Sequence, residues 1–342
     1  MLVLQPAQLK ALYRAVILEL GGTLDEAGTF ADFLVLADLR GMDWQGIKSL
    51  DKHYVWSIQE GIIKLGQEIA VVSEGPAHLM LDAGGELGQV TCARVMNSAI
   101  QKAKSAGVAL GAVQRSGDTG LLGSYTVMAI AHDCIGVMFN ATAPYVASWG
   151  GTERTHGIDP LSVAIPAGRE YPILLDMSLT EAQTVFDQDG RWERPFPPPP
   201  VMSFATMREY AMTVVVELIS GALTNTPVGC ERVHRGETGV IALAIHIPHF
   251  IDVKVFKDQV DSYVRQVKTT TRAVESEEVL LPGERGFREA ERRSKSGVPV
   301  PDDVWASTVL LMESIGVDWQ GALDAPQERD LGTGIDAPSA ES

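Results

Sequence analysis

The stretch PYVASWGGTERTHGIDPLSVAIPAG (144–168) sets two glycine turns around one short apolar run. Trp149-Gly150-Gly151 and Gly157-Ile158-Asp159-Pro160 are turn compositions, because glycine, aspartate and proline punctuate regular structure. Leu161 to Ile165, placed between the second turn and Pro166, reads as a strand. Upstream, Leu87 to Ala106 reads as a helix, Val108 to Val113 as a strand, Leu121 to Cys134 as a helix and Ile135 to Phe139 as a strand. Downstream, Ile173 to Asp176 is a further strand. This order predicts an α/β protein with a mixed sheet covered by helices.

Further out, the N-terminal third is helical. Ala7 to Leu20 has apolar residues at helical spacing, and Thr23 with Glu26 forms a capping box for a helix to about Arg40. A third helix is expected from near Ser49 to near Gly61, then strands Ile69–Val72 and His78–Leu81 around Gly75-Pro76. Gln188 to Pro200 is expected to be an extended connector. Phe204–Leu223 and Phe256–Thr271 are expected helices, Gly239–Ile247 a strand, and two more helices follow Gly283 and Pro301. The expected organisation is an N-terminal helical segment (1–68), a central α/β domain (69–200), a helix-rich second lobe (201–320) and a flexible acidic tail (321–342).

The net charge of −16, from 44 acidic and 28 basic residues, argues against nucleic acid as a partner, which needs a basic footprint. No apolar run approaches a bilayer-spanning length and no signal peptide is evident, so the expectation is a cytoplasmic protein that does not engage a membrane. Cys92, Cys134 and Cys230 lack CxxC spacing and read as small buried residues. His246 and His249 have no third ligand at metal-site spacing, so no metal is expected.

Six blocks occur in the order and near the spacing of the type-2 malate/L-lactate dehydrogenases: ADLRGMDWQG (37–46), LDAGGELGQVTCARVM (81–96), the 144–168 stretch, ILLDMS (173–178), VVELISGALTNTPVG (215–229) and LPGERGFREAERRSKSGVPVPDDVW (281–305). The chain resembles that family along most of its length. The resemblance implies a non-Rossmann fold, consistent with the lack of a GxGxxG after any strand. It also implies NADH- or NADPH-dependent reduction of a 2-oxo acid or cyclic imino acid, and a homodimer. On that basis Asn140, Trp149, Gly150, Gly151, Asp176, Arg208 and Glu284 are candidates for holding the cofactor.

The chain departs from the family where chemistry is expected. The family's Ser-His-Gly, followed shortly by an Arg, is Trp44-Gln45-Gly46 with Lys48 here, and the His of its Asn-His-Phe-Gly is Asp118. Proton delivery to a carbonyl suits an imidazole, whose ordinary pKa is ~6.5. Gln45 does not titrate. The catalytic candidates are therefore Asp118, Lys48 and Gln45. Arg40 and Arg115 are candidate anchors for a carboxylic acid substrate, with Trp44, His156 and Asp159 beside them. Each has a bland counterpart: Asp118 as a turn carboxylate, the arginines as surface ion pairs, His156 as a hydrogen-bonded loop residue.

Asp159, where the family has Asn, and Glu209, where it has a small residue, add negative charge near a dinucleotide. Weakened or lost nicotinamide binding is the expectation. Three readings follow: a reductase with a replaced proton donor; a non-redox lyase, cyclase or hydrolase using Asp118 with Lys48 or Asp159; and a catalytically silent binding subunit.

Overall fold

The computed structural model describes residues 1–180, 206–232 and 238–324. Strand β1 (Leu2–Leu4) leads into α1 (Pro6–Glu19), then α2 (Leu24–Leu39). Thr23 accepts from the Glu26 backbone N–H while Glu26 accepts from that of Thr23, the capping box expected from the sequence. The two helices pack through Leu9, Leu12, Val16 and Ile17 against Phe30, Ala31 and Leu34. Phe30 meets Tyr54 edge-to-face at 4.8 Å, which joins this core to the next segment.

That segment departs from the expected continuous helix. It winds as a 3-10 turn (Ile47–Ser49), then a π-helical stretch (Leu50–Val55), then α3 (Trp56–Gln59). The wider π winding lets consecutive residues Tyr54 and Val55 both face the core, at 0% and 1% exposure, while His53 stays part-exposed.

The hairpin β2 (Ala70–Gly75) and β3 (His78–Asp82) precedes α4 (Gly88–Ala106) and β4 (Val108–Ser116). β3 and β4 are parallel, with α4 as their crossover. The expected helix Leu121–Cys134 is instead α5 (Gly123–Thr126) followed by a 3-10 turn (Val127–His132). It is stopped by Asp133 at φ 52°, so that Cys134 opens β5 (Cys134–Ala141). A small hairpin, β6 (Val146–Ala147) with β7 (Arg154–His156), is followed by β8 (Leu161–Ile165) and β9 (Ile173–Met177).

After α6 (Met207–Ser220), β10 (Thr238–His246) enters the sheet between β4 and β5. The seven strands run β2-β3-β4-β10-β5-β8-β9. The boundary expected at 200/201 therefore does not separate two units, because the middle strand comes from beyond it. α7 (Val253–Lys268), α8 (Glu284–Ser296), β11 (Val298–Val300), α9 (Asp302–Ser314) and α10 (Trp319–Asp324) complete the described chain. β11 pairs with β1, and Met312 and Val317 join the core of α1 and α2, so the 1–68 segment is likewise not a separate body. The expected connector at 188–200 and the tail beyond 324 lie outside the described residues. Among the cysteines, Cys92 and Cys134 are buried as expected, whereas Cys230 is exposed.

Candidate active site

Asp38, buried near the end of α2, organises the first wall of the site. Its carboxyl accepts from the Tyr13 hydroxyl and, at 3.0 Å, from the Ile47 backbone N–H. A Cβ on Gly46 would fall 2.0 Å from the Asp38 Oδ1, so only glycine lets the chain pass there. Burial, partly offset by the Tyr13 hydrogen bond, raises the Asp38 carboxyl to about 7. The turn carrying Trp44, Gln45 and Lys48 is thereby pinned from inside.

The opposite wall is the loop 117–120 at the end of β4. The Gly117 N–H donates to the Glu86 carbonyl at 2.8 Å. A Cβ on Gly88 would lie 2.1 Å from the Asp118 carbonyl oxygen, so the start of α4 and this loop are in close backbone contact. Gly120, at φ +62°, turns the loop back, and its N–H donates to Asp118 Oδ1 at 2.9 Å. Around Gly120, a Cβ would find the Tyr54 hydroxyl at 3.0 Å, Gln89 Nε2 at 3.2 Å and Gln45 Oε1 at 3.9 Å.

Gln45 and Asp118 thus meet across one glycine. Gln89 Nε2 donates to the Tyr54 hydroxyl at 2.6 Å, fixing that ring. The Nδ1 of His53 stands 4.0 Å from Asp118 Oδ2. Deeper in, Asn140 Nδ2 donates to Thr119 Oγ1 at 2.8 Å, and the Tyr125 hydroxyl donates to the Thr119 carbonyl at 2.6 Å. Burial, with the Asp118 charge adding to it, raises the Tyr54, Cys92 and Tyr125 groups, so all three keep their protons. His53 and Asp118 are the part-exposed titratable pair of this cleft.

Residues 4–186 and 194–308 match the malate/L-lactate dehydrogenase family. The chain belongs to that family. It is 29% identical to malate dehydrogenase of Pyrococcus horikoshii over 335 residues, covering 89% of this chain and 92% of that one. It is 28% identical to L-sulfolactate dehydrogenase of Methanocaldococcus jannaschii, covering 93% and 98%. The solved structure of the Pyrococcus horikoshii malate dehydrogenase superposes with a TM-score of 0.82 at 27% identity, covering 93% of this chain and 96% of that one. Among the described residues no helix is long and apolar enough to cross a membrane.

Within this malate/L-lactate dehydrogenase fold the other candidates separate. Trp44 and Lys48 are exposed on the turn that carries Gln45. Arg115 is held by Asp82 through a bidentate pair (Nε to Oδ1 2.8 Å, Nη2 to Oδ2 2.6 Å), so its fork is committed to the β3–β4 edge. Arg40 is buried, with its guanidinium 5.2 Å from the Phe287 ring centre; burial lowers it to about 10, and the nearby Asp176 partly restores it. Asp176 accepts from the Gly123 N–H at 2.8 Å, and burial raises it to about 6. Asn140 and Asp176 therefore brace the two ends of the 119–123 segment.

Asp159 does not face Asp118. Its Oδ1 accepts from the Thr142 N–H at 2.8 Å, and its neighbours are Glu217 and Arg232, fully inside the protein. Burial first, and the Glu217 charge second, push its carboxyl well above the ordinary aspartate range. Arg232 Nη2 pairs with Glu217 Oε1 at 3.1 Å. His156 sits by this cluster, 5.4 Å from the Tyr210 ring, and burial lowers its pKa. Trp149 and Gly150 form the exposed tip of the β6–β7 hairpin with Gly151, Gly150 at φ +79°. Arg208 is exposed in the first turn of α6, where Glu209 accepts from the Thr206 N–H in a capping box. Glu284 is buried in ion pairs with Lys268 and Arg288 and braces α7 against α8.

His53, Tyr54, Gln89 and Thr119 are the site residues that sequence reading does not single out. No local spacing signals them, because the chain between Gln45 and His53 passes through a turn, a 3-10 turn and a π-helical stretch.

Proposed function

We propose that this protein catalyses NAD(P)-linked interconversion of a 2-oxo acid, or a cyclic imino acid, with its reduced form in the cleft around Gly120. The observation that carries this is the meeting of Gln45, Asp118, Tyr54 and Gln89 at Gly120. The two positions where the family resemblance expects imidazoles fall in one cleft, and a His–Asp pair lies in it. The sealed Asp159 removes one of the two partners of Asp118 in the non-redox alternative and leaves that reading only Lys48.

The residues present fit a nicotinamide cofactor. Asn140 Oδ1 is buried without a hydrogen-bond donor beside the 117–120 loop, an acceptor suited to a carboxamide N–H. A Cβ on Gly150 would meet nothing within 4 Å, which leaves the hairpin tip open for backbone approach. The carboxylates expected to repel a pyrophosphate are otherwise engaged: Asp159 is buried on the Thr142 N–H beside Arg232, and Glu209 caps α6. Asn140, Asp176 and the Trp149–Gly151 turn would hold the cofactor, which supplies or accepts hydride. Gln45 orients the substrate through its carboxamide, Lys48 attracts its carboxylate, and the His53–Asp118 pair manages the proton.

A homodimer fits the exposed apolar stripe of α6 (Met207, Met212, Val215, Leu218) and Leu223 in the turn after it, a face that a second copy would cover. The cytoplasm is the expected compartment. The functional test is steady-state NADH and NADPH oxidation with 2-oxo monoacids, 2-oxo diacids and cyclic imino acids. Turnover with one class is expected; no turnover with any of them, together with no nicotinamide binding, would overturn the proposal.

A further inference from the structure

The Gly120 cleft holds a carboxylate where an imidazole is expected, and an imidazole beside it from another element. Asp118 Oδ1 is engaged by the Gly120 N–H at 2.9 Å, and Oδ2 faces His53 Nδ1 at 4.0 Å. His53 projects from the π-helical stretch whose next residue, Tyr54, is locked by Gln89 and Phe30. We infer that His53 is the proton-transferring group of this site and that Asp118 is the carboxylate that positions and balances it. The inference rests on the reading of this cleft as the reacting site, and it exchanges the roles that position alone assigns.

The geometry favours this division. A carboxylate anchored in a turn by a backbone N–H is a fixed acceptor, suited to holding the Nδ1 side of the His53 ring. A separation of 4.0 Å is within ion-pair reach, and catalytic contacts are commonly longer before substrate enters. Of the other titratable groups near Asp118, Tyr54, Cys92 and Tyr125 keep their protons through burial. Asp51 and Lys52 lie on His53's own segment, and Lys48 precedes it by more than one turn. A bound nicotinamide would supply the hydride in the reducing direction. His53 would give its proton to the substrate oxygen as the carbonyl becomes an alcohol, and would be left as neutral imidazole. Solvent then reprotonates His53. In the oxidising direction neutral His53 accepts the alcohol proton.

The first test needs neither cofactor nor substrate: titrate the histidine side-chain nitrogens by NMR in wild type and Asp118→Asn, assigning His53 through His53→Gln. The His53 pKa is expected to fall by ~0.5 unit or more in Asp118→Asn, because an opposite charge nearby favours the protonated ring. An unmoved titration overturns the pairing, whether or not the enzyme is a reductase. The second test is turnover with melting as the folding control. His53→Gln is expected to lose ~10²-fold in kcat/KM together with the acidic-to-neutral inflection of its pH profile. Asp118→Asn is expected to keep an inflection moved to lower pH. A folded His53→Gln within twofold of wild type, or Asp118→Asn losing the inflection while His53→Gln keeps it, returns the proton to Asp118. If no nicotinamide turnover exists in wild type, the functional reading fails and the NMR titration still decides the pair.

Discussion

Asp118 and Asp159 look alike in the sequence, each within two residues of a glycine in a turn next to a strand, yet the fold treats them in opposite ways. The Asp118 side chain is 41% exposed, with one oxygen on a backbone N–H and the other facing an imidazole. Asp159 is 0% exposed, sits at φ 32°, and shares its burial with Glu217 and Arg232. In the first region a charge stays available to a partner in the cleft. In the second, Arg232 pairs with Glu217 beside Asp159, whose carboxyl is pushed well up by burial and by the Glu217 charge. The difference teaches that a carboxylate in a glycine turn becomes chemistry or architecture according to what closes over it, here α6 and Arg232.

The strongest way to break this contrast is at its buried end. Arg232→Met leaves the Glu217 charge without its counter-ion inside the protein and is expected to cost about 3–5 kcal/mol. Denaturant unfolding measures it; a loss under ~1 kcal/mol would mean the cluster is not ionic. Next in size is Gly88→Ala, whose new Cβ would meet the Asp118 carbonyl oxygen at 2.1 Å. A cost of about 1–3 kcal/mol is expected, with turnover falling more than stability as the 117–120 loop shifts. Unchanged turnover in a folded Gly88→Ala would detach the loop from function.

A pH series sharpens the comparison with two further buried carboxyls. Glu86 is raised to about 8, chiefly by burial and then by Glu26, and Asp38 to about 7. Both folded-state values lie above the unfolded ones, so their contribution to stability is fully present below about 4 and is lost as pH rises through 7 and 8. Glu289, lowered to about 2 by Arg292, acts oppositely, losing its contribution as pH falls below about 4.5. Melting temperature should therefore peak near pH 5 and decline towards pH 9. Glu86→Gln should flatten the upper part of that decline, and an unflattened curve would remove Glu86 as its source. The smallest effect is expected from Asp159→Asn, below ~1 kcal/mol, because the amide oxygen can still accept from the Thr142 N–H where burial disfavours a carboxylate charge.

The local parts of the fold were legible: the Thr23–Glu26 cap, the α1 and α2 spans and the strand Leu161–Ile165 follow from periodicity and capping chemistry. The insertion of β10 between β4 and β5 was not, because strand order is set by long-range packing that no local pattern encodes. The winding changes at 47–59 and 123–132 were also hidden, since tertiary contacts such as Tyr54 with Phe30 override a helical pattern there. In the site, the convergence of Gln45 and Asp118 was foreseen through the family resemblance. Arg115 illustrates the opposite case: its partner Asp82 lies 33 residues earlier, and only the β3–β4 pairing brings them together.

The most direct test of the account is equilibrium titration of the purified protein with NADH and with NADPH, followed by nicotinamide fluorescence. The account predicts saturable binding of one of them in the micromolar range, unchanged in Asp159→Asn, because that carboxyl is buried against Glu217 and Arg232. Absence of binding at about 1 mM, or binding gained only when Asp159 or Glu209 is neutralised, would contradict it.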